Sequence, residues 1–370
     1  MKRKKKYHWG IKGLLLCAAV CAIFLTGNSI KAEAFQNNSL DYSVRPIMPE
    51  SQRNDTQAYF DLLMNPGEEQ TLQIEVVNHA EEDKTINVSV ATASTNGGGN
   101  VDYGVRANVE ADDTLLYKID DLVSTQGRIV VPAKETYTVQ LKVMMPSASF
   151  DGILAGGINF KEVSNGEDAE IDQEGGVAIQ NEYSYVIALL LRVNDQEVLP
   201  DLQLNQVYAA QRNWMNIISA NVQNFKSAYV TNMNISAQVR RQGETDVLYE
   251  LDKKDMEMAP NSNFNYAIPL NGEPFQAGTY VLSLAVESSE GSWDFEREFI
   301  ITPEEAKAFN ETDVSIERSN LWIYIAAGAG ILLLVLLIFL LVWYKKRAKK
   351  QKIRLREIIE EIILRLKGNG

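Results

Sequence analysis

Through the middle of the chain, apolar and polar positions alternate. Thr71-Leu72-Gln73-Ile74-Glu75-Val76-Val77, Thr85-Ile86-Asn87-Val88-Ser89-Val90, Thr138-Val139-Gln140-Leu141-Lys142-Val143 and Asn232-Met233-Asn234-Ile235-Ser236-Ala237-Gln238-Val239 all run with period two. An extended chain turns successive side chains to opposite faces, so each segment predicts a half-buried antiparallel strand. Turn chemistry separates them at Asn65-Pro66-Gly67-Glu68, at residues 96–100 and at Asn271-Gly272-Glu273. Helical periodicity is nearly absent before residue 303. Short strands punctuated by turns over about 120 residues predict a β-sandwich. An acid-rich stretch without aromatics, SNGEDAEIDQEGG at 164–176, reads as a linker. The expected ectodomain is therefore all-β. It has two tandem immunoglobulin-like β-sandwich domains, 35–163 and 177–302, folding independently on either side of that linker. Residues 303–320, opened by Pro303, read as a helical turn and a stalk down to the membrane.

The two ends have a different pattern. Lys2, Arg3, Lys4, Lys5 and Lys6 precede an apolar run at 14–25, and Ala32-Glu33-Ala34 follows it. A basic start, a short apolar core and small residues at −3 and −1 predict a secretory signal over 1–34, cut between Ala34 and Phe35. Residues 321–344 carry no charge in 24 positions. At 1.5 Å per residue they extend about 36 Å, enough for a transmembrane helix. Trp322 and Tyr324 flank one end, Trp343 and Tyr344 the other, and Lys345, Lys346, Arg347, Lys349 and Lys350 follow. The positive-inside rule then places the C-terminus in the cytosol and the rest of the chain outside, as a single-pass protein of the cell membrane. In the tail, 345–370, Leu355, Ile359, Ile362 and Leu366 form an apolar stripe. It predicts a short amphipathic cytosolic helix on the inner membrane surface or, equally, a continuation of the spanning helix.

Charge sharpens this division. Residues 35–344 hold 19 basic against 45 acidic side chains, a net −26, between two basic ends. An acidic exterior excludes nucleic acid as a partner, because phosphates need a basic surface. Both cysteines, Cys17 and Cys21, lie in the signal, which leaves the mature chain without cysteine and with His79 as its one histidine. Disulfides, thiolate catalysis and Cys/His zinc sites are thereby excluded. A cysteine-free exterior suits a bacterium with a single membrane.

Candidate chemistry is sparse. Gly97-Gly98-Gly99 precedes strand-like Val101-Asp102-Tyr103 rather than a helix, so it reads as a loop and not a phosphate cradle. His79 lacks a serine or cysteine partner for a triad. Asp102, Asp112, Asp113, Asp120 and Asp121 could ligate calcium but lack EF-hand spacing, and read as solvated surface. No catalytic residue, metal site or cofactor is expected, and binding remains, through strand edges or stacking aromatics.

Several blocks resemble the WxL-interacting proteins of Gram-positive bacteria along the whole chain. They are Tyr42-Ser43-Val44-Arg45-Pro46-Ile47, Tyr59-Phe60-Asp61-Leu62, Asn65-Pro66-Gly67, and Thr95-Asn96 with Gly99 and Tyr103. The most specific runs from Val131-Pro132-Ala133 through Met145-Pro146 to Phe150-Asp151-Gly152-Ile153-Leu154-Ala155-Gly156-Gly157-Ile158. Later blocks are Asn181-Glu182-Tyr183-Ser184-Tyr185, Met258-Ala259-Pro260-Asn261-Ser262, Gly278-Thr279-Tyr280 and Trp293-Asp294-Phe295. The resemblance implies a peptidoglycan-binding first domain, a host-binding second domain and WxL-domain surface proteins as partners, with host extracellular proteins as further ligands. It marks Asn96, Tyr103, Phe150, Asp151, Gly156 and Gly157 as binding or structural motif residues. The expectation is a non-enzymatic surface adaptor; the alternatives are a cell-wall-active enzyme or a transmembrane sensor relaying through its tail.

Overall fold

The computed structural model describes residues 41–367, apart from 55, 107–109, 164–183 and 318–320. The signal-cleavage site at Ala34 and Phe35 and the acid-rich segment 164–176 lie outside the described residues. The first unit contains β1 (Tyr42–Ile47), β2 (Phe60–Leu63), β3 (Glu69–Asn78), β4 (Lys84–Thr92), β5 (Ser94–Thr95), β6 (Val101–Asp102), α1 (Ile119–Leu122), β7 (Val123–Ser124), β8 (Arg128–Val131), β9 (Thr136–Met144), β10 (Leu154–Glu162) and β11 (Ser184–Arg192). One sheet has the order β1-β3-β9-β7 and the other β2-β11-β10-β4-β8. The alternating segments of β3, β4 and β9 fold as their period demands. Leu72, Ile74 and Val76 of β3 and Val139, Leu141 and Val143 of β9 are buried against Ile158 and Phe160 of β10 and Leu189 and Leu191 of β11. Tyr42 closes this core, its hydroxyl donating to the Phe160 carbonyl at 2.8 Å.

The second unit contains β12 (Leu202–Arg212), β13 (Met215–Asn224), β14 (Val230–Arg241), β15 (Val247–Met258), β16 (Ser262–Pro269), β17 (Gly278–Glu287), β18 (Ser292–Ile301) and the helix α2 (Pro303–Thr312). Its sheets have the orders β12-β13-β16 and β15-β14-β17-β18. Ile218, Val222, Ile235, Val239, Tyr266, Leu282 and Leu284 fill the space between them. The β12–β13 turn places Asn213 at φ 52° and Trp214 at φ 60°, the left-handed pair that a tight hairpin of type I′ requires.

One sequence expectation needs correction, and two others are narrowed. Strand β11, placed in the second sandwich by the boundary at 177, lies in the middle of a first-unit sheet, antiparallel to β10 and parallel to β2. Because β10 and β11 are direct neighbours in one sheet, the boundary between the units does not fall between them. The covalent link between the units is instead residues 193–201. The helical turn expected after Pro303 is a full helix, α2, started by Pro303 and a reciprocal cap in which Thr302 Oγ1 accepts from the Glu305 amide at 3.2 Å. Ala306 is buried in the second core and Phe309 packs on Phe275, ring centroids 5.8 Å apart. Finally, of the two readings of the tail, the structure takes the continuation of the long apolar helix. The span and the tail are one helix, α3 (Leu321–Lys367), of 47 residues and about 70 Å. It is the one helix among the described residues that is long and apolar enough to cross a membrane.

Candidate functional site

The residues marked by the sequence converge on the seam between the two units. Asn96 shapes the tip of the β5–β6 hairpin, its Oδ1 accepting the amides of Gly98 at 2.8 Å and Asn100 at 3.2 Å. That turn sets Gly99 at φ 77° so close to Met256 of β15 that a Cβ would fall 2.0 Å from the methionine methyl. The Gly99 carbonyl accepts the Glu257 amide at 2.8 Å. Tyr103, just past the hairpin, has its hydroxyl 3.1 Å from that of Tyr229 in the second unit. Its carbonyl accepts from Asn159 Nδ2 at 3.1 Å and sits 2.3 Å from where a Cβ on Gly157 would be. Gly156 likewise leaves room for the Ala91 carbonyl and Ile119. The glycine pair thus lets a hairpin lie flat on β10. Asp151 joins the seam by its backbone, its carbonyl accepting from Ser227 Oγ at 2.6 Å, while its side chain holds Asn194. Phe150 is separate: it is buried in the first core against Tyr117 and faces no groove.

Further polar contacts tie the units. Thr95 Oγ1 lies 2.6 Å from Ser262 Oγ and accepts the Ala259 amide at 3.0 Å. The Ile153 amide donates to the Ser227 carbonyl at 2.8 Å, and Asn261 Nδ2 to the Thr114 carbonyl at 3.0 Å. Between them lies a small apolar cluster of Ala93, Ile153, Ala155, Leu190 and Ala259, flanked by Tyr59, Tyr103 and Tyr229. Asp112, read as solvated from the sequence, is 8% exposed. Gln223 Nε2 donates to both its oxygens at 2.7 and 2.9 Å, Asn263 Nδ2 at 2.6 Å, and Thr114 by its amide and hydroxyl. Burial pushes its pKa up, but the bonds from Asn263, Thr114 and Gln223 outweigh that and hold it below the usual carboxylate range. Burial raises Tyr229 well above an ordinary tyrosine, so both seam phenols stay protonated at neutral pH. Among the described residues no three His, Cys, Asp or Glu side chains gather where they could hold a metal.

Two grooves flank the β5–β6 hairpin. One, of about 820 Å³, lies on the outer face of the first unit's sheet, lined by Tyr59, Asn87, Ser89, Tyr103, Asn159 and Lys161 among others. The other, of about 1130 Å³, opens along the seam beside Asp112 and runs over the amides of β12, β13 and β16. The first offers amide and hydroxyl groups beside Tyr59 and Tyr103, and the second sets its amides among charged side chains such as Arg106, Glu110, Asp113 and Lys118. The amides went unread in the sequence. Their signal is the spacing Gln203-x-Asn205, Asn221-x-Gln223 and Asn263-x-Asn265, which has meaning only once three strands are paired.

Residues 42–162 match the family model described as WxL Interacting Protein, peptidoglycan binding domain, and residues 174–311 match WxL Interacting Protein, host binding domain. The second match begins before β11, so that segment supplies the first unit with a strand. A search of curated proteins finds no significant match. Solved structures similar to the chain include a chaperone–tip adhesin complex of CFA/I fimbriae, at 11% identity over 71% of this chain and 99% of that one, TM-score 0.30. Another is the CsuC–CsuE chaperone–tip adhesion subunit complex of Acinetobacter baumannii, at 11% identity over 70% and 97%, TM-score 0.30. A third is the Salmonella enterica SafA pilin with the SafB chaperone, at 11% over 70% and 96%, TM-score 0.27. Scores that low relate chains only loosely, and no functional weight rests on them. The two domain matches, in the order peptidoglycan-binding then host-binding, decide the matter: the chain belongs to the WxL-interacting protein family.

Proposed function

We propose that the protein is a non-enzymatic cell-surface adaptor of a Gram-positive bacterium, held by α3 in the cell membrane with its C-terminus in the cytosol. Its two immunoglobulin-like units bind peptidoglycan, WxL-domain surface proteins and host ligands. The observation that carries this reading is the pair of binding-domain matches in tandem ahead of one long apolar helix. The groove over Asn87, Ser89 and Asn159 is the preferred peptidoglycan site, since amide and hydroxyl groups beside Tyr59 suit sugar hydroxyls and a sugar face. WxL-domain capture is assigned to strand addition and apolar contact elsewhere on the surface. The continuous α3 favours a second role, in which a load on the ectodomain reaches the cytosolic face through one rigid rod.

Cosedimentation with purified sacculi, run beside pull-down of a WxL domain, tests the adaptor reading. Ser89→Trp should fill the groove and abolish sacculus binding while WxL capture persists. Unchanged sacculus binding would remove this groove from the proposal, and failure of the wild-type chain to bind either partner would overturn the adaptor itself.

A further inference from the structure

The outer face of β12, β13 and β16 is a lattice of amides. Asn221 stands opposite Asn265, Gln223 opposite Asn263, and Gln203 opposite Gln223. A bulge after Leu204 swings Asn205 over the same rows. Asn205 Nδ2 donates to Asn221 Oδ1 at 2.9 Å and to Gln223 Oε1 at 3.0 Å. Asn221 Nδ2 in turn donates to Asn263 Oδ1 at 3.0 Å and Asn265 Oδ1 at 2.9 Å. The lattice is anchored at the seam by Asp112, whose oxygens are taken up by Gln223, Asn263 and Thr114.

Two properties of this face are unusual for the exterior of a sandwich in so acidic a chain. These three strands set no carboxylate among the amides. The charged groups at the borders are the Asp112 carboxylate, its oxygens taken up by Gln223 and Asn263, Arg297, donating to the Leu204 carbonyl at 2.9 Å, and Arg212, whose guanidinium is within 3.4 Å of the Gly97 carbonyl. The lattice is also complete inside and open at its margin. Asn205 Oδ1, Gln203 Oε1 and Asn265 Nδ2 have no protein partner among the described residues, although each side chain is fixed through its other atom. Tyr208, 39% exposed, ends the same face one row on, opposite Ser219. Asn205, Tyr208, Asn221, Asn265 and Arg297 together line a groove of about 720 Å³, within the ~300–1,000 Å³ usual for small-ligand sites.

We propose that this face is a binding site for neutral oligosaccharides of a host surface. Fixed acceptors and donors side by side match the mixed donor and acceptor character of sugar hydroxyls. Locking them in a lattice removes the ordering cost of binding. The phenol ring offers a flat apolar surface for the sugar's C–H face. The net −26 of residues 35–344 disfavours acidic sugars at long range and leaves neutral ones unaffected. The proposal deepens the host-binding reading of the second unit by naming the ligand class and the face.

The test is a glycan array probed with the full chain in lipid nanodiscs, because glycoside detergents would compete for the groove. Neutral oligosaccharides should bind, and sialylated and sulfated ones should not. Tyr208→Ala and Asn265→Ala should each weaken binding about tenfold, ~1.4 kcal/mol, while Tyr208→Phe, which keeps the ring, stays near wild type. All three should leave sacculus binding and WxL capture intact, separating this site from the adaptor role. An array silent for every glycan, equal binding by both alanine variants, or binding confined to acidic glycans would overturn the proposal. Competition by soluble peptidoglycan fragments at equal strength would overturn the host assignment.

Discussion

Gly157 occupies a position where one methyl group has nowhere to go. A Cβ there would meet the Tyr103 carbonyl at 2.3 Å, and the strand is paired on both sides, so neither backbone can yield cheaply. Gly157→Ala should cost about 1–3 kcal/mol, in the range of overpacked cores, read as a melting temperature several degrees lower. Asp112 supplies a residue-scale prediction with a sign. Its folded pKa is depressed, so its contribution is present in full above the unfolded value of about 3.9 and is lost as pH falls through the folded value. Asp112→Asn should cost on the order of 1–3 kcal/mol at neutral pH, the range for hydrogen bonds to a charged group. Thermal melts of the two proteins should converge as pH drops below about 4; a gap independent of pH would refute the carboxylate's role. The glycine pair in a strand already signals a close backbone approach or a bulge, and the structure shows the close approach; the Asp112 effect is not legible in the sequence. Asp112 is one acid among 45, and only folding brings Gln223 and Asn263 to it from more than a hundred residues away.

At the level of elements, the period-two segments are the legible part. β3, β4, β9 and β14 lie where alternation puts them, because one face of each has a core to cover and its side chains report that face directly. Strand membership was not legible. An acid-rich stretch reports exposure, and exposure is the same whether the stretch joins two domains or two neighbouring strands. The consequence for domain dissection is direct. Residues 41–163 lack β11, which separates β2 from β10, and should give an unfolded fragment. Residues 41–193 restore it and should give sheet-rich circular dichroism with a cooperative melt. Equal folding of both fragments would mean that β11 is dispensable. The sequence signals only a helical turn at α2, because ten residues with three acids and two alanines look solvent-bound, yet Ala306 and Phe309 suffice to seat a full helix.

For the whole molecule, the seam decides how the two units behave together. Direct hydrogen bonds from the β5–β6 hairpin, the Asp112 loop and the Asp151 turn all reach the second unit, so the ectodomain is built as one body rather than as beads on a string. The pairing of β10 with β11 adds a property of another kind, resistance to shearing by enzymes. A cut within SNGEDAEIDQEGG would leave the strands on either side zipped along eight residue pairs from Leu154–Leu191 to Lys161–Ser184. Limited digestion with a glutamate-specific protease should give two bands on a denaturing gel and one species by size exclusion. Separation of the fragments without denaturant would show the pairing too weak for this. A chain nicked in that segment would keep its two fragments together, held across the break by the β10–β11 ladder, the core that Ile187, Leu189 and Leu191 enter, and the seam contacts.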